Sequence, residues 1–216
     1  MNESMTPAAF KKSSAPASLR LWAALTGFLL LMLVGASPVV HAWDVSITTW
    51  LQHAAPGPDL PAALLVLLGN AEVVIPATVL AAAWLLRHDR PRGRAGLWFA
   101  AGLIGASLTA VALKHLVFHP GPPREWHRHV FALGIHAKTP YSFPSGHTLR
   151  TTLLAGIGLG RTRWLAGVVI LAMMTALVYL GDHWTSDVLG GLCLGWAALE
   201  AGKAFRTSRF RNYPRG

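Results

Sequence analysis

The chain has 216 residues, of which 53% are apolar and only 13% are charged, and its mean hydropathy is +0.42. Soluble domains carry about 25% charged residues, so this composition is typical of a membrane protein. The formal net charge of +10 does not indicate a nucleic-acid partner, because the lysines and arginines cluster at the ends of apolar segments. A single cysteine, Cys193, excludes an intrachain disulfide and a multi-cysteine metal site.

Apolar runs along the chain predict an all-α, polytopic membrane helix bundle with about six transmembrane helices. The first run has about 20 residues, which is long for a signal-peptide core and sufficient to cross a bilayer. We favour a retained helix, although Gly35-Ala36-Ser37 leaves a cleaved signal peptide as the alternative. The predicted spans, in chain order, are about 21–40, 73–86, 95–117, 147–159, 164–180 and 186–204.

The region between the first and second spans is less regular. Asn70 and Glu72 interrupt an apolar run, so residues 60–68 are predicted to form an interfacial or re-entrant helix. Residues 41–59 contain no lysine or arginine and are predicted to be an outer loop.

The distribution of lysine and arginine sets the expected orientation, because cytoplasmic segments are enriched in both. If the chain crosses the membrane at each predicted span, fourteen of its nineteen lysines and arginines lie on the same side of the membrane. We therefore expect a bacterial-type inner membrane protein with both termini in the cytoplasm. The chain is then predicted to consist of a disordered N-terminal tail at 1–18, a membrane-embedded phosphatase-like domain at 19–205 and a basic cytoplasmic tail at 206–216.

Two histidine motifs lie at span ends that this orientation places on the outer, periplasmic side. The sequence Pro-Ser-Gly-His at 144–147 precedes the fourth span, and His183 and Asp187 lie between the fifth and sixth. A histidine backed by a carboxylate can attack phosphorus, and a second histidine can protonate the leaving alkoxide. A Ser-Gly turn at a helix start offers N–H groups and a hydroxyl to phosphate oxygens. The motifs predict covalent hydrolysis of a phosphate ester at the outer membrane interface.

Over about residues 95–204 these motifs resemble the type 2 phosphatidic acid phosphatase superfamily. Its pattern is Lys, six residues and Arg-Pro, then Pro-Ser-Gly-His, and finally Ser-Arg, five residues, His, three residues and Asp. The resemblance implies that His183 forms a phosphohistidine, that Asp187 orients it, and that His147 is the general acid. It also implies a set of phosphate-binding residues, namely Lys114, Ser145 and Gly146.

The chain departs from this family pattern at two arginines, whose positions are occupied by Gly121 and Leu177. Charge-assisted hydrogen bonds are each worth about 1.5–3 kcal/mol. Losing two without replacement would lower the rate by about 10²–10⁴-fold.

Nearby cations are candidates to replace the missing arginines. Arg124 lies three residues beyond Gly121 in a proline-rich loop, and Arg150 lies one helical turn after His147 on the same face. Arg128 is a further candidate, and His119 could supply part of the missing positive charge. We therefore include Arg124 and Arg150 among the predicted phosphate-binding residues.

We expect an integral membrane phosphatase that hydrolyses a lipid-linked phosphate or pyrophosphate without a metal or other cofactor. Candidate substrates are phosphatidic acid, phosphatidylglycerol phosphate, an isoprenyl pyrophosphate and a lipid A phosphate. A metal site is less favoured, because catalytic zinc usually needs three convergent protein ligands. Two other functions stay open: a phosphotransferase with a lipid or sugar acceptor, and a catalytically weak protein that binds or moves lipid phosphates.

Overall fold

A computed structural model describes residues 16–128, 141–159 and 162–211 of the chain. The regular elements in these ranges are all helical, as predicted from the sequence. They comprise a 3-10 turn at Arg124–Trp126 and the α-helices α1 Ala17–Val34, α2 Pro38–Ala54, α3 Asp59–Leu67, α4 Ala71–His88, α5 Arg90–Leu116, α6 Gly146–Gly158, α7 Arg163–Tyr179 and α8 Thr185–Arg211.

Three of the described helices, α1, α4 and α5, are long and apolar enough to cross a membrane, and α7 is a shorter apolar helix. Many large apolar side chains on these helices point away from the bundle, including Leu33, Leu80 and Leu171. Such a surface would be costly in water, whereas lipid tails accommodate it. The predicted fold class, a polytopic membrane helix bundle, is confirmed.

The prediction of an outer loop at 41–59 is wrong, because most of that segment is helix α2. Ser37 caps this helix by accepting a hydrogen bond from the Val40 N–H, and Pro38 occupies the first helical position. The residues that α2 buries include two polar ones, Asp44 and Thr48, which lie one turn apart. A search for an apolar stripe misses such a helix, because its two fully buried residues are polar while the apolar Ile47 and Leu51 are only partly buried.

The other helices follow the predicted segments with shifted ends. The predicted interfacial helix at 60–68 corresponds to α3. Helix α1 ends at Val34 rather than near residue 40, because a turn at 35–37 separates it from α2. Helix α8 continues to Arg211, beyond the predicted end at 204 and into the segment that was assigned to a basic tail.

Helix α6 lies at the centre of the packing that positions the candidate site. It contacts α7 and α8, while α4 packs against α5 and α1 against α8. One hydrophobic cluster includes buried residues of α4, α5, α6 and α8, with Leu103 and Leu149 almost fully enclosed. A second cluster joins α3 to α7 around Met173 and Leu177. The start of α6 is thereby held beside the turn between α7 and α8.

Close approach of α6 and α8 depends on glycines of α8. A Cβ atom at Gly191 would lie 2.3 Å from the backbone oxygen of Ser145, and one at Gly195 would lie 2.9 Å from that of Leu149. Small residues allow membrane helices to approach through their backbones. Gly191 in particular determines how near α8 can come to the Pro-Ser-Gly-His turn.

We expect Gly191→Ala to destabilise the protein by about 1–3 kcal/mol, the usual cost of overpacking a close contact. The matched control is Gly202→Ala in the same helix, where an added Cβ meets nothing within 4 Å. Thermal unfolding in detergent would measure both variants, and equal melting temperatures would contradict the packing described above.

Candidate active site

His183 lies in the turn that connects α7 to α8, and this turn requires a glycine. Gly181 has a φ of +73°, a conformation that favours glycine. A Cβ atom there would also lie 2.5 Å from the backbone oxygen of Trp126. The backbone of the 3-10 turn therefore packs directly against the turn that carries His183, whose side chain is buried.

Asp187, in the first turn of α8, holds one edge of the His183 ring. Its Oδ2 lies 3.4 Å from His183 Nδ1 and accepts a hydrogen bond of 2.9 Å from the Trp184 N–H. The carboxylate is fully buried. Because Nδ1 faces the carboxylate, Nε2 on the opposite side of the ring is the nitrogen that can react with a substrate.

The Pro-Ser-Gly-His turn begins α6 beside this pair. Ser145 caps the helix by accepting a hydrogen bond of 3.4 Å from the Thr148 N–H, and its own N–H donates to the Asp187 backbone oxygen at 3.0 Å. The ring centroids of His147 and His183 are 6.3 Å apart. The structure thus brings the two predicted histidines together, and the fully buried Ser145 side chain lies at the cap of α6.

The turn between α3 and α4 contacts two side chains of α6. His147 Nε2 lies 2.5 Å from Asn70 Oδ1, and Arg150 Nε donates a hydrogen bond of 2.7 Å to the backbone oxygen of Gly69. Asn70 is buried although it lies between two apolar runs. In the sequence it marked only an interruption, whereas in the structure it orients a site histidine.

Two cations lie close to the histidines. The Arg150 side chain is buried, and a Cβ atom at Gly146 would lie 2.9 Å from its Nη1. The absence of a side chain at Gly146 therefore leaves room for the guanidinium at the start of α6. Lys114, in the last turn of α5, is near enough to Asp187 and Arg150 for electrostatic interaction with both.

The other candidate arginines have different surroundings. Arg124 begins the 3-10 turn and is exposed. Arg128 is engaged in structural contacts, since it donates to Tyr179 Oη at 3.1 Å and to the Gln52 backbone oxygen at 2.9 Å, and it pairs with Asp59. Within the described ranges, these contacts of Arg128 are with residues of α2, α3 and α7.

The two positions at which the resemblance predicts an arginine, 121 and 177, differ in burial. Leu177 is completely buried in the hydrophobic cluster of α3 and α7. Gly121 is exposed, and a Cβ atom there would lie 3.2 Å from Ser142 Cβ. Position 177 is thus an apolar core position.

A sequence model of the PAP2 superfamily matches residues 95–211, which is more than half of the chain and includes all three motif regions. The chain belongs to the PAP2 superfamily. The predicted resemblance is therefore confirmed. Decaprenylphosphoryl-5-phosphoribose phosphatases from two strains of Mycobacterium tuberculosis are 36% identical to this PAP2 protein over 108 residues. That alignment covers 48% of this chain and 57% of each relative, so the chain spans little more than half of their length.

A solved PAP2 structure has the same fold. The transmembrane PAP2-type phosphatidylglycerolphosphate phosphatase from Bacillus subtilis superimposes with a TM-score of 0.70, covering 88% of this chain and 96% of the other. The sequence identity is 22%, so the likeness establishes the architecture and not the substrate.

Proposed function

We propose that this PAP2 protein hydrolyses a lipid-linked phosphate through a phosphohistidine intermediate on His183. The observation that carries the proposal is the approach of His147 to the His183–Asp187 pair, with ring centroids 6.3 Å apart at one end of a membrane helix bundle. Nucleophile, orienting carboxylate and acid are the three groups that such a reaction requires.

The first step transfers the phosphoryl group to the enzyme. His183 Nε2 attacks phosphorus while Asp187 accepts the Nδ1–H, which holds the ring and stabilises its developing positive charge. His147 donates a proton to the departing oxygen, so the lipid leaves as an alcohol.

The second step regenerates the free enzyme. His147, now deprotonated, accepts a proton from a water molecule that attacks the phosphohistidine. The phosphorus–nitrogen bond breaks, inorganic phosphate leaves, and both histidines return to their initial protonation states. This cycle requires no metal or other cofactor.

The phosphate group is bound by Arg150, Lys114 and the N–H groups at the start of α6. A helix N-terminus favours anions, and two buried or half-buried cations add attraction to the phosphate oxygens. In this proposal Arg150 compensates for an arginine missing from the family pattern, whereas Ser145 shapes the turn. Arg124 is exposed, and the proposal does not depend on it.

The proposed substrate is a phosphate carried by a lipid at the periplasmic face of the inner membrane. The names of the Mycobacterium tuberculosis and Bacillus subtilis proteins both describe phosphates attached to lipids. The lysine and arginine distribution favours cytoplasmic termini and a periplasmic site. Residues 19–205 form the proposed catalytic domain, and a lipid tail in the bilayer would leave the phosphate at the interface.

Phosphate release from a panel of lipids tests this function. Purified protein in detergent, with EDTA present, would be given phosphatidic acid, phosphatidylglycerol phosphate, an isoprenyl pyrophosphate and a decaprenyl-linked ribose phosphate. We expect inorganic phosphate to be released from at least one lipid. Binding without release would favour a lipid-phosphate binding protein, and transfer to an added alcohol in excess of release would favour a phosphotransferase.

Replacing Arg150 with methionine should lower kcat/KM about 10–100-fold, because a charge-assisted hydrogen bond to phosphate is worth about 1.5–3 kcal/mol. Arg150→Lys should retain part of the activity, since it keeps the charge but loses the donor geometry. Arg94→Met, at an exposed arginine of α5, is the matched control. Steady-state kinetics would measure all three, and wild-type kcat/KM in Arg150→Met would remove this arginine from the proposed phosphate site.

A further inference from the structure

The orienting carboxylate contacts a second histidine through its other oxygen. His119 Nδ1 lies 3.4 Å from Asp187 Oδ1, while His183 uses Oδ2. Within the part of the chain that the structure describes, Asp187 Oδ1 has no hydrogen bond of regular geometry. Since catalytic hydrogen bonds are often long before substrate binds, His119 is positioned to donate to this buried oxygen.

The His119 ring is enclosed, and its nitrogens have defined neighbours. A Cβ atom at Gly35 would lie 3.3 Å from Cε1, and the Phe143 ring lies tilted against the imidazole with centroids 5.6 Å apart. Opposite the carboxylate, Nε2 lies 3.5 Å from Ser186 Oγ. The ring therefore connects Asp187 to Ser186.

Ser186 is in turn held by Asp44 of α2. Asp44 accepts hydrogen bonds from the Ser186 N–H at 2.9 Å and from the Ser186 hydroxyl at 2.6 Å. Both side chains are almost completely buried. Burial raises the pKa of the Asp44 carboxyl, and the hydrogen bonds from Ser186 oppose that shift.

Two proton arrangements of Asp44, Ser186 and His119 place a proton on His119 Nδ1, where it can be donated to Asp187. In the first, the Ser186 hydroxyl donates to an ionised Asp44, and the serine oxygen accepts from the Nε2–H of an imidazole that has a proton on both nitrogens. When Asp44 is protonated, it donates to Ser186, which donates to Nε2 of a neutral imidazole. In either form the Nδ1–H faces Asp187.

We propose that His119 is a positioning residue that fixes Asp187 from the side opposite His183, and that Asp44 holds His119 through Ser186. The inference rests on the proposed function, in which Asp187 orients the nucleophile. Without His119, a buried carboxylate oxygen would lack a donor, which is costly. Asp187 would then rotate or bind His183 Nδ1–H less strongly, and the nucleophile would lose its alignment.

Two amide variants test the two ring nitrogens of His119 one at a time. The asparagine amide nitrogen lies near the position of Nδ1 and the glutamine amide nitrogen near that of Nε2, so His119→Asn keeps the contact with Asp187 whereas His119→Gln loses it. His119→Phe keeps the ring packing and removes both contacts. Orienting residues of this kind affect activity by about 10–100-fold. We expect kcat to fall about 10–100-fold in His119→Gln and His119→Phe, with KM unchanged. In His119→Asn we expect kcat to fall by less than about tenfold.

Kinetics can also overturn the assignment. Equal kcat in the Asn and Gln variants, or wild-type kcat in the Phe variant, would show that His119 does not act through Asp187. The Asn and Gln pair remains informative if His119→Phe does not fold. Asp44→Ala should also lower kcat, and an unchanged kcat in this variant would remove Asp44 from the proposal.

A spectroscopic measurement tests the inference without relying on turnover. In protein labelled with ¹⁵N-histidine, we expect a strongly hydrogen-bonded Nδ1–H on His183 in the wild type and in His119→Asn. That proton should shift upfield in His119→Gln and His119→Phe, and identical His183 signals in all four proteins would overturn the proposal. A wild-type protein that releases no phosphate would refute the proposed function, while these spectra would still test the contact.

Discussion

Replacement of His183 by alanine is expected to lower phosphate release by at least about 10⁴-fold, because removing a covalent nucleophile eliminates the reaction path itself. The loss should appear in kcat, while binding of the lipid phosphate should persist through Arg150 and Lys114. The matched control is His53→Ala, at an exposed histidine of α2 whose ring contacts only its own helix through the Thr49 backbone oxygen among the described contacts.

Trapping of the intermediate makes this prediction specific to His183. Brief reaction with a ³²P-labelled substrate should yield an acid-labile, alkali-stable phosphoprotein in the wild type and in His53→Ala, and none in His183→Ala. Residual turnover within about tenfold of wild type in His183→Ala would exclude the covalent path. A phosphoprotein that persists in this variant would place the nucleophile elsewhere.

The second large effect is expected for His147→Ala, and it should depend on the leaving group. A general acid contributes about 10²–10⁴-fold when the departing alkoxide needs a proton. A lipid alcohol is such a leaving group, whereas p-nitrophenolate departs without protonation. His147→Ala should therefore slow phosphoenzyme formation far more with a lipid phosphate than with p-nitrophenyl phosphate, and His183→Ala should abolish phosphoenzyme formation with both substrates.

The ratio of the two rates of phosphoenzyme formation, measured before water attacks the phosphohistidine, is the measurement that assigns His147. His88→Ala, at an exposed histidine of α4, should leave the ratio at its wild-type value. Equal losses in the rate of phosphoenzyme formation with the two substrates would contradict an acid role in the first step and would leave His147 with phosphate binding or activation of water alone. A ratio that shifts toward p-nitrophenyl phosphate would support protonation of the leaving oxygen.

The sequence by itself determined the fold class, the family and the three central side chains of the candidate site. Each of these depends on local information: apolar runs determine membrane helices, and His183 and Asp187 are four residues apart, so the start of one helix places them together. The Pro-Ser-Gly-His turn likewise encodes its own helix cap at Ser145. Such features need no knowledge of distant packing.

Helix α2 and Asn70 show why other parts of the site could not be predicted. Asp44 reaches Ser186 across 142 residues, and Asn70 reaches His147 across 77. In the sequence both appear only as polar residues, because a hydropathy scale says no more than that they are unfavourable in lipid. Whether such a residue faces solvent or a buried partner depends on which helices become neighbours.

Tertiary structure also decided which cations lie beside the histidines. Arg124, Arg128 and Arg150 were comparable candidates by sequence distance, yet only Arg150 lies buried against the start of α6. Arg128 pairs with Asp59 and Tyr179, and Arg124 is exposed. A long cationic side chain can extend in many directions, so its partner is set by the packing of whole helices and not by its position in the chain.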